Sequence, residues 1–140
     1  MPEVSAEVSI RVPIYPTEEV EKVISAVASI FPEASIDIKD TEITGKATSI
    51  ERFKTLIQDQ KIRSSARNVL RRGAGEGGIS FSLNKQVAAV GKVNFAVESP
   101  LGDIEVYVET GDIEGFIDEI APRPEGILNA KENSSMRNRR

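Results

Sequence analysis

The chain predicts an α+β domain: a mainly antiparallel sheet of about six strands with helices packed on one of its faces. Three observations lead there. Short runs alternate apolar and polar residues, stretches between them carry apolar residues at helical spacing, and turn signals join neighbouring runs closely enough for hairpins. The expected order is β-α-β-β-α-β-β-β-α, as a single domain over residues 1–124.

From Val4 to Ile14 every second residue is apolar, with Ser5, Glu7, Ser9 and Arg11 between, which predicts a strand buried on one face. Beyond Tyr15-Pro16, Thr17 is placed to cap a helix with an acidic first turn. Its apolar face is Val20, Val23, Ile24, Val27, Ile30 and Phe31, and Pro32 ends it. Ala34, Ile36 and Ile38 alternate again, and residues 42–47 read as a partner strand. Thr48 and Glu51 have capping-box spacing, and helical periodicity then runs from Ile50 to Leu70, with a break at Lys61-Ile62 and a terminating Gly73. Three strands are expected next, at residues 79–83, 92–97 and 104–108, the last two paired as a hairpin across Ser99-Pro100-Leu101-Gly102. Asp112 can cap a last helix carrying Ile113, Phe116, Ile117 and Ile120, stopped at Pro122. From Glu125 to Arg140 the composition is that of a disordered basic tail.

With 140 residues the chain can bury roughly two thirds of its unfolded surface, so its core needs no covalent staple. Cysteine and histidine are both absent, which excludes disulfides, zinc sites built on those ligands, thiol nucleophiles and the commonest general base. No apolar run approaches the roughly eighteen residues of a membrane span, and no secretion signal opens the sequence, so a cytoplasmic location is expected. Nothing implies a cofactor.

Gly73-Ala74-Gly75-Glu76-Gly77-Gly78 has the G-x-G-x-x-G spacing of a dinucleotide loop. Such a loop leaves a strand and opens a helix, so that pyrophosphate meets the helix N-terminus. Here a helix precedes and a strand follows, and the segment reads as a helix cap with a flexible loop. Ser64-Ser65 has no histidine to activate it. Asp103, Glu105 and Asp112 would bind magnesium only if their oxygens converged, and the carboxylates read instead as solvated faces, so no enzyme is expected.

The net charge of −4 averages over blocks of opposite sign: residues 61–100 hold seven cations against two carboxylates, and residues 101–122 hold seven carboxylates and no cation. Five of those cations fall in the twelve residues from Lys61 to Arg72. At roughly 100° per residue, Arg63, Arg67 and Arg71 form a stripe about 80° wide along the helix. Guanidinium forks suit phosphates, so Arg63, Arg67, Arg71 and Arg72, supported by Lys85 and Lys92, are the candidate nucleic-acid contacts. Tyr15 and Tyr107 are the only tyrosines and tryptophan is absent, so weak phosphate contacts are expected in place of base stacking. The alternative is that the basic helix faces the acidic block, within the chain or across a homodimer.

Asn84-Lys85-Gln86, Gly91-Lys92-Val93-Asn94-Phe95, Glu98-Ser99-Pro100-Leu101-Gly102 and Ala121-Pro122-Arg123, with Tyr15-Pro16-Thr17-Glu18 and Phe31-Pro32, closely resemble the archaeal uncharacterised protein family 0201. The resemblance implies an archaeal source, a fold similar to ribosomal protein L-five and a suspicion of RNA association. It supplies no catalytic or ligand residues, and fold likeness alone assigns no function. The reading it leaves is a noncatalytic RNA-associated module, with a self-associating interaction module as the alternative.

Overall fold

The alternating runs form one antiparallel sheet in the computed structural model, which describes residues 6–95 and 102–122. Its strands are β1 (Glu7–Pro13), β2 (Ser35–Ile38), β3 (Glu42–Ala47), β4 (Ala74–Gly75), β5 (Gly78–Asn84) and β6 (Asp103–Glu109), ordered β2-β3-β1-β6-β5-β4. The helices are α1 (Val20–Ile30), α2 (Glu51–Asp59), α3 (Arg63–Arg72), α4 (Lys85–Ala88) and α5 (Ile113–Ile120).

Period-two alternation decides which face is covered. Gly45, Ile10, Val106 and Phe81 stand in register across β3, β1, β6 and β5, and the rows beside them are equally apolar. The helices close over these rows. Phe31, Phe53 and Phe81 stack with centroids 5.8 and 5.5 Å apart, tying the end of α1 and the body of α2 to the sheet, while Phe95 meets Phe81 edge-on. Ser9, Arg11, Glu105, Tyr107 and Ser80 fall on the opposite face, which no described element covers. Among the described residues no helix is long and apolar enough to cross a membrane.

Several sequence expectations change here. Residues 92–95 form no strand, although Val93 is buried and Phe95 packs against the core as the alternation requires. The Asn84 N–H donates to the Asn94 carbonyl at 2.8 Å, so this extended segment borders the sheet without joining it. Accordingly β6 pairs with β1 and β5, not with residues 92–95, while residues 96 and 97 of the expected strand lie outside the described residues. The sixth strand comes from the glycine-rich segment, where β4 and β5 form a tight hairpin through Glu76 and Gly77, the latter at φ +83°. Gly73 caps α3 as expected, and the rest of the segment forms a hairpin turn.

Thr17 does not cap α1, whose N-cap is Glu19, and Ile50 replaces Thr48 at the start of α2. Asp112 does cap α5, its carboxylate accepting the Gly115 N–H at 3.0 Å. Helix α4 had no apolar period long enough to announce it. It begins where the Asn84 side chain accepts the Val87 N–H at 3.0 Å. The turn at Ser99-Pro100-Leu101 and the tail from Glu125 lie outside the described residues.

Candidate nucleic-acid interface

The arginine stripe of α3 meets a carboxylate stripe of the same spacing on α5. Arg71 forks onto Glu114 through Nη1 and Nη2 at 2.7 and 3.2 Å. One turn earlier, Arg67 donates through Nη1 to the Asp118 carboxylate at 2.7 Å and to the Ala121 carbonyl at 2.8 Å. The two helices therefore pair antiparallel, 71 with 114 and 67 with 118, each step being four residues. Another step would pair Arg63 with residue 122, which is Pro122, beyond the end of α5. Arg63 thus overhangs the acidic helix. The opposite-sign blocks seen in the sequence do face one another within the chain, and Lys54 adds a further pair with Glu119 at 3.3 Å.

Lys85 is engaged elsewhere. Its ammonium is buried, donating to the Pro13 carbonyl at 2.8 Å and to both Glu18 carboxylate oxygens at 3.0 and 3.1 Å. Arg72 and Lys92 are exposed, and with Arg63 and Lys61 they make no ion pair among the described residues.

Backbone geometry brings the chain positions of three of these unpaired cations to one corner. Helix α2 ends in a Schellman motif, the Ile62 N–H donating to the Ile57 carbonyl at 3.2 Å and the Lys61 N–H to the Gln58 carbonyl at 3.2 Å. Helix α4 ends the same way, with Lys92 N–H donating to the Val87 carbonyl at 3.2 Å. The Gln60 side chain then clips the two ends together: its amide donates to the Val93 carbonyl at 2.9 Å and accepts the Val93 N–H at 2.8 Å. Lys61 and Lys92 each neighbour a residue of that clip, and Arg63 opens α3 two residues further on.

This corner breaks three local rules. Lys61 takes φ +58°, a left-handed conformation that favours glycine. The first turn of α3 has no side-chain cap, leaving N–H groups of that turn without one, with Ser64 and Ser65 exposed beside them. Arg63 places a cation at the helix end that prefers anions. A phosphate at the α3 N-terminus would resolve the second and third at once. Lys61→Gly is expected to raise stability by up to about 1 kcal/mol, being the relief of the left-handed conformation less the added freedom of unfolded glycine; urea unfolding measures it. Sequence reading picked out Arg63 and Lys92 but not Gln60, Ser64 or Ser65, and the uncapped start at Ile62 was the signal for the serines.

Asp112 is occupied as the α5 cap, and among the described residues no three His, Cys, Asp or Glu side chains gather as a metal site would require.

A family model described as RNA binding matches residues 7–110. A UPF0201 protein of Methanothermobacter thermautotrophicus is 38% identical over 120 residues, covering 83% of this chain and 91% of that one. The UPF0201 protein MJ1564 of Methanocaldococcus jannaschii is 41% identical over 136 residues, covering 90% and 79%. A solved UPF0201 protein from Methanococcus jannaschii superposes with a TM-score of 0.79 at 40% identity, covering 83% of this chain and 99% of that one.

Proposed function

The chain belongs to the UPF0201 family, and from that premise we propose that it is a noncatalytic RNA-associated module whose phosphate contacts centre on the uncapped N-terminus of α3. The carrying observation is the Gln60–Val93 clip, which draws the backbone positions of Lys61 and Lys92 to the corner where Arg63 opens α3, with no carboxylate partner for the three among the described residues. Arg72 extends the surface at the far end of α3. Arg67, Arg71 and Lys85 support the site by fixing helices in place, since their donors are directed at Asp118, Glu114 and Glu18. Binding of this kind is weakly sequence-specific, because phosphate contacts position a strand without reading its bases.

The test is the salt dependence of affinity for a labelled single-stranded RNA, measured in the full chain with Lys131, Arg137, Arg139 and Arg140 changed to glutamine to silence the tail. Each cation that engages a single strand contributes about 0.7 to the slope of log affinity against log salt, so Lys61→Gly, Arg63→Gln and Lys92→Gln together are expected to flatten it by about two. An unchanged slope in a folded triple variant rejects this corner as the site. Self-association is the competing reading, supported by edge strand β2, where Ile38 is 55% exposed. Sedimentation of the RNA-free protein at low and high salt separates the two.

A further inference from the structure

The uncovered face of the sheet carries chemistry that the RNA reading does not use. One row across it reads Ser35, Lys46, Ser9, Tyr107 and Ser80, and the small hydroxyl side chains leave a trough of about 810 Å³. Tyr107 is 39% exposed and lies over Gly78, where a Cβ would collide with its hydroxyl. Around it the charge is net negative, although Lys46 of the same row makes no ion pair among the described residues. Arg11 is held by Glu105 at 3.2 Å and Glu42 at 3.7 Å, and Asp37 is answered by Lys39 at 3.1 Å. Glu7 and Glu109 stand directly opposite one another on β1 and β6, and neither makes an ion pair among the described residues. Like charges so placed destabilise a sheet.

RNA is the wrong ligand for such a face and a cationic polypeptide is the right one: a guanidinium can stack on Tyr107 and fork onto Glu105 or Glu109. The chain carries that polypeptide. Residues 123–140 hold five cations against two carboxylates, with Arg137, Arg139 and Arg140 in the last four positions. They follow α5, whose end is fixed by the bond from Arg67 to the Ala121 carbonyl at 2.8 Å. Eighteen extended residues reach about 60 Å, against a radius of gyration of about 14 Å for a domain of this size, so a path round the edge of the sheet is within range. We propose that residues 123–140 dock in cis on the open sheet face, setting arginine side chains on Tyr107 between Glu105 and Glu109. Tail cations held there are withheld from phosphate.

The test uses the full chain without RNA, so its outcome is independent of the α3 site. Amide spectra of the wild type are compared with those of Arg137→Gln/Arg139→Gln/Arg140→Gln. The signals of Ser9, Ser80 and Tyr107 are expected to move, equally at every protein concentration, and the difference to vanish near 1 M salt, where screening acts within about 3 Å. In a Tyr15→Phe background Tyr107 is the one tyrosine and tryptophan is absent, so its quenching by acrylamide should rise when the tail is neutralised. Sheet-face signals that stay in place overturn the proposal. Movement that grows with protein concentration also overturns it, by assigning the face to the tail of a second copy.

Discussion

Lys85→Met is expected to destabilise the domain by about 3 kcal/mol or more, although it trades a charged side chain for an apolar one of similar length. The Lys85 side chain is 5% exposed and that of Glu18 is 10% exposed, so removing the ammonium strands a carboxylate in a site that water scarcely reaches. Breaking a buried pair from one side typically costs about 3–5 kcal/mol, because the surviving charge keeps its desolvation penalty and loses its partner. The ammonium also ties three segments together: the Pro13 carbonyl at the end of β1, Glu18 ahead of α1, and α4 itself, with the Tyr15 ring centroid 5.6 Å away. Glu18 in turn accepts the Tyr15 N–H at 3.0 Å. The double variant Lys85→Met/Glu18→Leu removes both charges and is expected to be less destabilised than Lys85→Met alone, leaving mainly the lost bonds to the Pro13 carbonyl and the Tyr15 N–H. Urea unfolding of the two variants decides this. A single variant within about 1 kcal/mol of wild type would show that the pair does not hold the domain together.

Lys85 also illustrates how far the sequence could be read. A lysine two residues after a strand looks like any surface cation, and only the packing of α4 against α1 reveals that it is enclosed. Strand β1 was legible because one face of it is fully buried, which writes the period directly into Val8, Ile10 and Val12. Residues 92–95 were misread by the same rule: alternation records which side chains are buried, and an extended segment laid along a sheet buries alternate residues without entering the ladder. The charge blocks disclosed that α3 and α5 are complementary in sign. Which arginine is left over depends on the register of the two helices and on α5 ending before Pro122, and neither can be read from spacing within α3. The corner at Lys61 was visible only as a break in helical periodicity. The left-handed φ of that residue and the Gln60 clip that draws Lys92 beside it are consequences of three-dimensional closure.

Gly73→Ala is expected to cost about 2–4 kcal/mol, for a reason different from the one its position suggests. A glycine after a helix is ordinarily kept for its positive φ, but Gly73 has φ −86° and ψ 0°, which alanine adopts without strain. What the site lacks is room, since a Cβ at 73 would run into the Ser80 carbonyl oxygen, and that atom belongs to the backbone of β5 and cannot rotate aside. The close approach is itself bonded, the Ser80 N–H donating to the Gly73 carbonyl at 2.9 Å. Relieving the collision means pushing away a strand whose neighbouring residues, Ile79 and Phe81, are both in the core, and Phe81 stacks on Phe53. Overpacking of this kind costs about 1–3 kcal/mol, and the weakened backbone bond adds about 1. Gly75→Ala is the control: nothing lies within 4 Å of a Cβ there, so a change of no more than about 0.5 kcal/mol is expected. Gly73→Asn separates the two explanations. Asparagine is the usual substitute where a left-handed conformation is the requirement, so stability close to wild type would mean that φ governs the site, whereas a loss at least as large as that of alanine means that the distance between α3 and β5 does.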